Sequence, residues 1–474
     1  MGNRGPLVDK TAMTRIARGL AAGVAVALLG VLAPTASASA EQLPGISAHL
    51  MWSDMSAAEQ DRQLDLISSA GGQITRVDVG WSSLEETAKG KYEQWYLDRL
   101  DSVVAKAEQH GVQLLITLTD SPCWASSAPE SLKQGCAGAW WDRYVQRYPP
   151  VDAQDYADAL AFLVRRYGDR VAGWEIWNEP NLQFFFNSND RPADYARIVR
   201  AAYPAAKAAD PSATVIAGSM AETPVSFVKA LFEHGIAGYF DAFSIHPYCG
   251  DSSPLDRLED RWIKNSFIRG VPAVRDVLLS YGEDKPIWLT EFGWSTSTIR
   301  GMATWMNGVD PQTQAQYIEQ ALLKVREWPY APVAIIFELQ DENGDLRDRN
   351  SNFGLLRYDG TPKPSFEAFR RGAVALTTSG PVSTPQSHDP DKPRDLRVWI
   401  ERTERRVFAR GVGEPHRVAR VRAYRYLRKK KRYSRRAAYR EKVKVRASGR
   451  FKRRLEPRFK RGRWRIKAKY ARSG

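Results

Sequence analysis

Between residues 46 and 376, short apolar runs rich in β-branched residues alternate with longer stretches whose apolar positions return every three to four residues. The runs at 46–50, 74–80, 113–119, 171–178, 214–219, 241–246, 286–291 and 332–339 read as strands, eight in all. The stretches at 57–70, 92–110, 153–167, 192–209, 270–281 and 311–328 read as amphipathic helices. In the second of these, Tyr92, Trp95, Tyr96, Leu100, Val103, Val104 and Ala107 fall at helical spacing, as a helix packed on a sheet requires. Eight strand–helix repeats predict an α/β fold, a closed (β/α)8 TIM barrel. An open doubly wound sheet is the alternative. No Gly-rich phosphate loop follows the first strands, which weakens that alternative and disfavours dinucleotide chemistry.

The pattern changes at both ends of this region. Residues 377–394 (TTSGPVSTPQSHDPDKPR) are rich in Ser, Thr and Pro, carry no apolar periodicity and read as a linker. Beyond it the period becomes two. Trp464, Ile466, Ala468 and Tyr470 alternate with Arg463, Arg465, Lys467 and Lys469, and Val443, Val445 and Ala447 alternate with Lys442, Lys444 and Arg446. Half-buried antiparallel strands with one cationic face follow, and residues 395–474 loosely resemble the immunoglobulin-like sandwiches attached to secreted bacterial enzymes. At the other end, Arg15 and Arg18 precede the apolar run Leu20–Ala33 and the small-residue site Ala38-Ser39-Ala40. This reads as a secretory signal peptide over 1–40, with Glu41 opening a mature barrel domain over 41–376. The apolar run is too short to span a bilayer, so no transmembrane segment is expected after cleavage.

Charge follows the same division. The formal net charge is +16, but residues 391–474 hold 34 Lys+Arg against 7 Asp+Glu, a net of +27, which leaves −11 on the rest. A solubility surface mixes both signs, whereas this tail does not. With Tyr424, Tyr426 and Tyr433 interleaved among Arg425, Arg428, Lys429 and Arg435, the tail is expected to bind a polyanion by counterion release. In an exported protein that partner is an anionic cell-wall polymer or acidic polysaccharide rather than a specific nucleic acid. The three cysteines, Cys123, Cys136 and Cys249, allow three pairings; Cys123 and Cys136 flank a polar loop and are the favoured pair. No Cys/His cluster has zinc-ligand spacing, and no cofactor or metal is expected.

In a parallel barrel the chemistry sits where the strands end. Strand four ends in Trp177-Asn178-Glu179-Pro180, strand six in His246-Pro247-Tyr248 and strand seven in Thr290-Glu291-Phe292-Gly293-Trp294. Two carboxyl groups at one mouth, three strands apart, can face each other. Glycoside hydrolysis needs that arrangement: one carboxyl protonates the leaving oxygen and one meets the sugar carbon.

These three strand-end motifs, in register and in order, resemble clan A retaining glycoside hydrolases such as family 5 cellulases and family 39 xylosidases, over about 330 residues. The resemblance implies Glu179 as general acid/base, Glu291 as nucleophile and Asn178 as the ligand of the sugar 2-hydroxyl. Tyr248 resembles the hydroxyl donor to the nucleophile, and Arg76 the family's arginine beside it. A cation and a phenol at Glu291 are expected to keep it ionised. Arg76 also has a structural reading, as a buried pair with Asp78 or Glu175; Glu175 lies four residues before Glu179, about 13 Å deeper, out of reach of substrate. Carbohydrate contacts are further expected from His49, His246, Trp81 and Trp294, with Trp52, Trp124 and Trp177 at neighbouring strand ends. The chain departs from the family on strand eight, where Phe337 and Glu338 stand in the region of a sugar-stacking Trp, and Glu338 or Asp341 is then placed to read a polar or charged group. The competing functional class is a catalytically inactive glycan-binding or cell-wall adhesion protein.

Overall fold

The computed structural model describes residues 42–378, apart from Met302, together with the backbone of seven strands between 397 and 470. The expected signal peptide over 1–40, the expected linker beyond Thr378 and the residues between the C-terminal strands lie outside the described residues. The chain divides into two compact units, Met1–Ser379 and Gly380–Gly474.

In the first unit eight strands close a barrel in sequence order: β1 Leu43–Ile46, β2 Ile74–Gly80, β3 Gln113–Thr119, β4 Gly173–Ile176, β5 Val215–Ala221, β6 Ala242–His246, β7 Ile287–Phe292 and β8 Val333–Ile336. All neighbours are parallel, and β1 closes the ring against β8 with Leu43 opposite Val333 and Ile46 opposite Ile336. The first strand thus lies three residues earlier than its predicted 46–50, and residues 47–50 lead into the mouth loop instead. The fourth and eighth strands are shorter than predicted, because the chain leaves the sheet at Trp177 and at Phe337 to build that same mouth. The predicted helices appear as Ala57–Ser69, Gln94–Gln109, Ala153–Tyr167, Arg191–Ala209, Phe267–Ser280 and Pro311–Val325. Two further helices, Val225–Glu233 and Pro364–Thr377, form in addition to those expected. Ser56, Asp152, Asp190 and Asp310 cap their helices by accepting from backbone N–H groups of the first turn.

Side chains such as Leu100, Val104, Leu160, Val164, Ile198, Ile318 and Leu322 face the sheet and are buried, which makes the helix–sheet layer the main core. A second apolar plug of Ile74, Leu115, Ile216, Trp288 and Ile335 fills one end of the barrel interior. Polar chemistry is therefore left to the other end. Cys123 and Cys136 form a disulfide across the loop after β3, and Cys249 is a buried free thiol. No helix among the described residues is long and apolar enough to cross a membrane.

The second unit contains β9 Arg397–Arg402, β10 Val407–Val412, β11 Val418–Leu427, β12 Arg432–Tyr433, β13 Tyr439–Lys444, β14 Arg450–Leu455 and β15 Trp464–Tyr470. All pairings are antiparallel: β10 lies between β9 and β14, and β11 pairs with β12, β13 and β15. The strand expected from the alternation at Trp464–Tyr470 is present.

Candidate active site

The site grows from two irregular strands. In a regular strand, neighbouring residues face opposite sides. The β7–β8 register shifts between Leu289 and Phe292, and both Thr290 and Glu291 reach inward, Thr290 Oγ1 to Glu175 Oε1 at 2.8 Å and Glu291 Oε1 to Arg76 at 2.7 Å. The β5–β6 register shifts between Ala217 and Met220. There Gly218 has φ 124°, and a Cβ on it would lie 2.3 Å from the Ser244 carbonyl oxygen, so only glycine fits. This close approach lets the Ser219 N–H donate to Ser244 Oγ at 2.7 Å.

The end of β4 is anchored from several sides. Tyr195 donates to the Ile176 carbonyl at 2.8 Å, the Trp177 N–H donates to Tyr156 Oη at 3.2 Å, and the Glu179 N–H donates to the Ser219 carbonyl at 2.9 Å. Asn181 exchanges two hydrogen bonds with the backbone of Ala221. These ties hold Trp177 at φ 65° and Glu179 at φ 45°, left-handed conformations that side-chain-bearing residues adopt only when the surroundings impose them.

Around this frame the predicted residues converge. Arg76 donates from Nε to Glu175 Oε2 at 2.8 Å, from Nη1 to Glu291 Oε1 at 2.7 Å and from Nη2 to Asn178 Oδ1 at 2.8 Å, and lies 3.0 Å from Asp78. Arg76 thus makes the buried pairing with Asp78 and Glu175 and also lies beside Glu291, one guanidinium tying the deep carboxylate to the mouth. Tyr248 donates to Glu291 Oε2 at 2.7 Å. His246 Nδ1 lies 3.0 Å from Glu179 Oε1 and 3.5 Å from Glu291 Oε2, while its Nε2 lies 3.3 Å from Ser219 Oγ. Oxygens of Glu179 and Glu291 approach within 4.8 Å of one another.

Burial is the largest influence on Glu291 and pushes its carboxyl above the ordinary range; His246 and Arg76 oppose this, and the charge of Glu179 adds to it. The expected cation and phenol are present, but desolvation outweighs them. Burial disfavours the imidazolium of His246, yet the carboxylates of Glu291 and Glu179 hold it above its usual value. Burial alone would raise Glu175, but Arg76 and His246 bring it below the ordinary range.

Two predicted sugar contacts need correction. Trp81 is 0% and Trp294 1% exposed, with their indole N–H groups committed to Glu85 and to the Ser252 carbonyl. Both are core residues here, as is Trp177, because the loops after their strands fold over them. Trp52 is 43% exposed and stacks on His49 with centroids 4.0 Å apart. His49 bonds Glu338 through Nε2 at 2.8 Å rather than facing the carboxyl pair. Asp341 is taken up by Lys363 at 2.7 Å.

Sequence reasoning missed Ser219 and Arg349. Ser219 lies beside Asn178 and His246; the Gly-Ser pair inside a strand was its only signal. Arg349 follows β8 in an irregular loop and lies over the Phe353 ring; burial lowers its proton affinity, while Tyr248 and Glu179 act on it in the opposite sense. No motif announces it. Among the described residues, two groups of three could hold a metal ion, Glu179–His246–Glu291 and His49–Glu338–Glu342.

The family model of the cellulases, glycosyl hydrolase family 5, matches residues 33–328, and the chain belongs to that family. The match ends before β8. A family 39 glycoside hydrolase from the gut symbiont Bacteroides cellulosilyticus shares the fold with a TM-score of 0.56 at 20% identity, over 88% of this chain and 79% of that one. A family 5 enzyme from Bifidobacterium longum subsp. infantis does so at 0.53 and 16% identity, over 72% and 80%. Beta-glucosidase 3 of Oryza sativa subsp. japonica is 27% identical over 117 residues, which span 25% of this chain and only 21% of that protein.

Proposed function

We propose that the protein is an exported retaining glycoside hydrolase that cleaves O-glycosidic bonds of an oligo- or polysaccharide by double displacement, without a cofactor. The observation that carries this reading is the approach of Glu179 and Glu291 oxygens to within 4.8 Å. Retaining enzymes keep their carboxyl groups about 5–5.5 Å apart, whereas inverting enzymes leave room for a water between them.

In this reading Glu291, held by Arg76 and Tyr248, attacks the anomeric carbon while Glu179 gives its proton to the departing glycosidic oxygen. The C–O bond of the leaving group breaks as the bond to Glu291 forms. Glu179, now a carboxylate, takes a proton from water, whose oxygen displaces Glu291 from the anomeric carbon and releases the sugar with its original configuration. His246 has two roles: it orients Glu179 through Nδ1, and its positive charge favours ionised Glu291. Asn178, pinned by Arg76, offers its amide to the sugar 2-hydroxyl. The basic C-terminal domain, an immunoglobulin-like sandwich in this reading, holds the enzyme at an anionic cell-wall polymer.

Glu291→Gln and Glu179→Gln test the assignment. Each is expected to lower turnover by at least about a thousandfold on a glycoside the parent cleaves, with the fold retained by circular dichroism. Near-parental activity in either variant would sink the assigned pair. Absence of turnover in the parent on a broad glycoside panel would favour a glycan-binding protein.

A further inference from the structure

The loops after β1 and β8 line an open cavity of about 210 Å³. One wall is the exposed indole of Trp52. The floor is Glu338, 1% exposed, whose Oε2 meets His49 and whose Oε1 is buried with no hydrogen-bond partner. Glu342, with a side chain 28% exposed, lies 3.8 Å from the same imidazole, and Asp54 stands at the rim. No Lys or Arg lines the cavity. The lining acids Glu59 and Asp341 are already taken by Arg62 and Lys363, which leaves Glu338 and Glu342 against one histidine and Asp54 as a further lining carboxylate. The cavity belongs to the catalytic mouth. Phe337 lies edge-on to His49 at 5.9 Å and to Tyr248, the partner of Glu291, at 6.4 Å, so one aromatic ring separates the two places.

We propose that this cavity is a subsite for a sugar carrying a free ammonium group, so that the preferred substrate contains an amino sugar next to the residue being cleaved. The inference rests on the hydrolase reading above. Each of its parts answers to that ligand. Trp52 offers a flat apolar surface to a sugar ring. The carboxylates of Glu338 and Glu342 offer charge-assisted acceptors to an ammonium, which has three donors and no acceptor. A buried carboxylate with one unpartnered oxygen is costly, and a cation seated beside that carboxylate lowers the cost. Uronic or sulfated sugars would be repelled by the same carboxylates, and an acetamido group would leave Glu338 facing an uncharged partner. A divalent ion between His49, Glu338 and Glu342 is the rival occupant. A bound ion would give the Trp52 face no role. Burial pushes Glu338 up to about 7 despite His49. An ammonium there would draw it back down.

The test compares three oligomers of equal length and β-1,4 linkage: glucosamine, N-acetylglucosamine and glucose. Each is titrated calorimetrically into the full-length protein and assayed as a substrate, with E338Q and E342Q beside the parent. The glucosamine oligomer is expected to bind, and to be cleaved by kcat/KM, at least about tenfold better than the other two, as one buried charge-assisted contact allows. In E338Q that ratio is expected to fall below about threefold. Because acetylation alone removes the charge from the ligand, the comparison stands even if a variant fails to fold. Equal binding of the three oligomers, or none, overturns the inference. So does a rise in melting temperature with Ca²⁺, Mn²⁺ or Zn²⁺ alone that E338Q abolishes. Cleavage of neutral glycosides without any preference for the amine overturns this inference and leaves the hydrolase reading intact. Amine-selective binding without turnover supports the subsite and overturns the hydrolase reading.

Discussion

Glu291 receives two hydrogen bonds, from Arg76 and Tyr248, and lies in a site dry enough that burial still dominates its proton affinity. Attack on the sugar requires the carboxylate. Activity is therefore expected to fall, as pH drops, through a midpoint above the roughly 4.3 of an ordinary glutamate. Tyr248→Phe removes a donor that favours the ionised form, so that midpoint moves to still higher pH. Turnover is expected to drop about ten- to a hundredfold, the worth of one hydrogen bond to a charged group. A kcat/KM profile against pH checks both; an acid limb that stays in place would show that Glu291 does not govern it. The carboxyl pair proposed for catalysis was legible in the sequence because Glu before Pro at one strand end and Glu before Phe-Gly at another have few structural uses. The burial of Trp81 and Trp294 was not, because whether a strand-end indole faces the opening or the core depends on how the following loop folds back. Nothing in a residue's own neighbourhood along the chain encodes that.

Elements position these residues through their irregularities as much as through their regular parts. The shift in β5 depends on Gly218, whose φ of 124° and 2.3 Å approach to the Ser244 carbonyl exclude a side chain. Gly218→Ala is expected to cost about 2–4 kcal/mol of stability, read as a lower urea midpoint, and to lower turnover by displacing Ser219 from Asn178 and His246. Unchanged stability would mean that β5 can straighten without penalty. The strands and six of the amphipathic helices were readable because their periodicity repeats over many residues. The register shifts were not, since one extra residue in a strand alters no pattern that a window can sense. The early start of β1 has a similar origin: Leu43 to Leu50 is apolar throughout its core-facing positions, and only pairing with β8 decides which half is the strand.

At the scale of the whole molecule, an acidic catalytic unit and a basic β unit share one chain, with the +27 confined to residues 391–474. The barrel has its own continuous core, so deletion of residues 380–474 is expected to leave turnover on a small soluble glycoside within about twofold and to abolish retention on cell-wall preparations. Retention unaffected by the deletion would remove the proposed tether. Amino-sugar recognition in the barrel and anion attraction in the tail would address different chemical groups of one matrix. The central claim, however, is the transient bond between Glu291 and a sugar, and incubation with an activated 2-deoxy-2-fluoro glycoside followed by peptide mass spectrometry tests it most directly. The account predicts one fluorosugar per protein, attached to Glu291; labelling of another residue, or turnover with inverted configuration and no label, would contradict it.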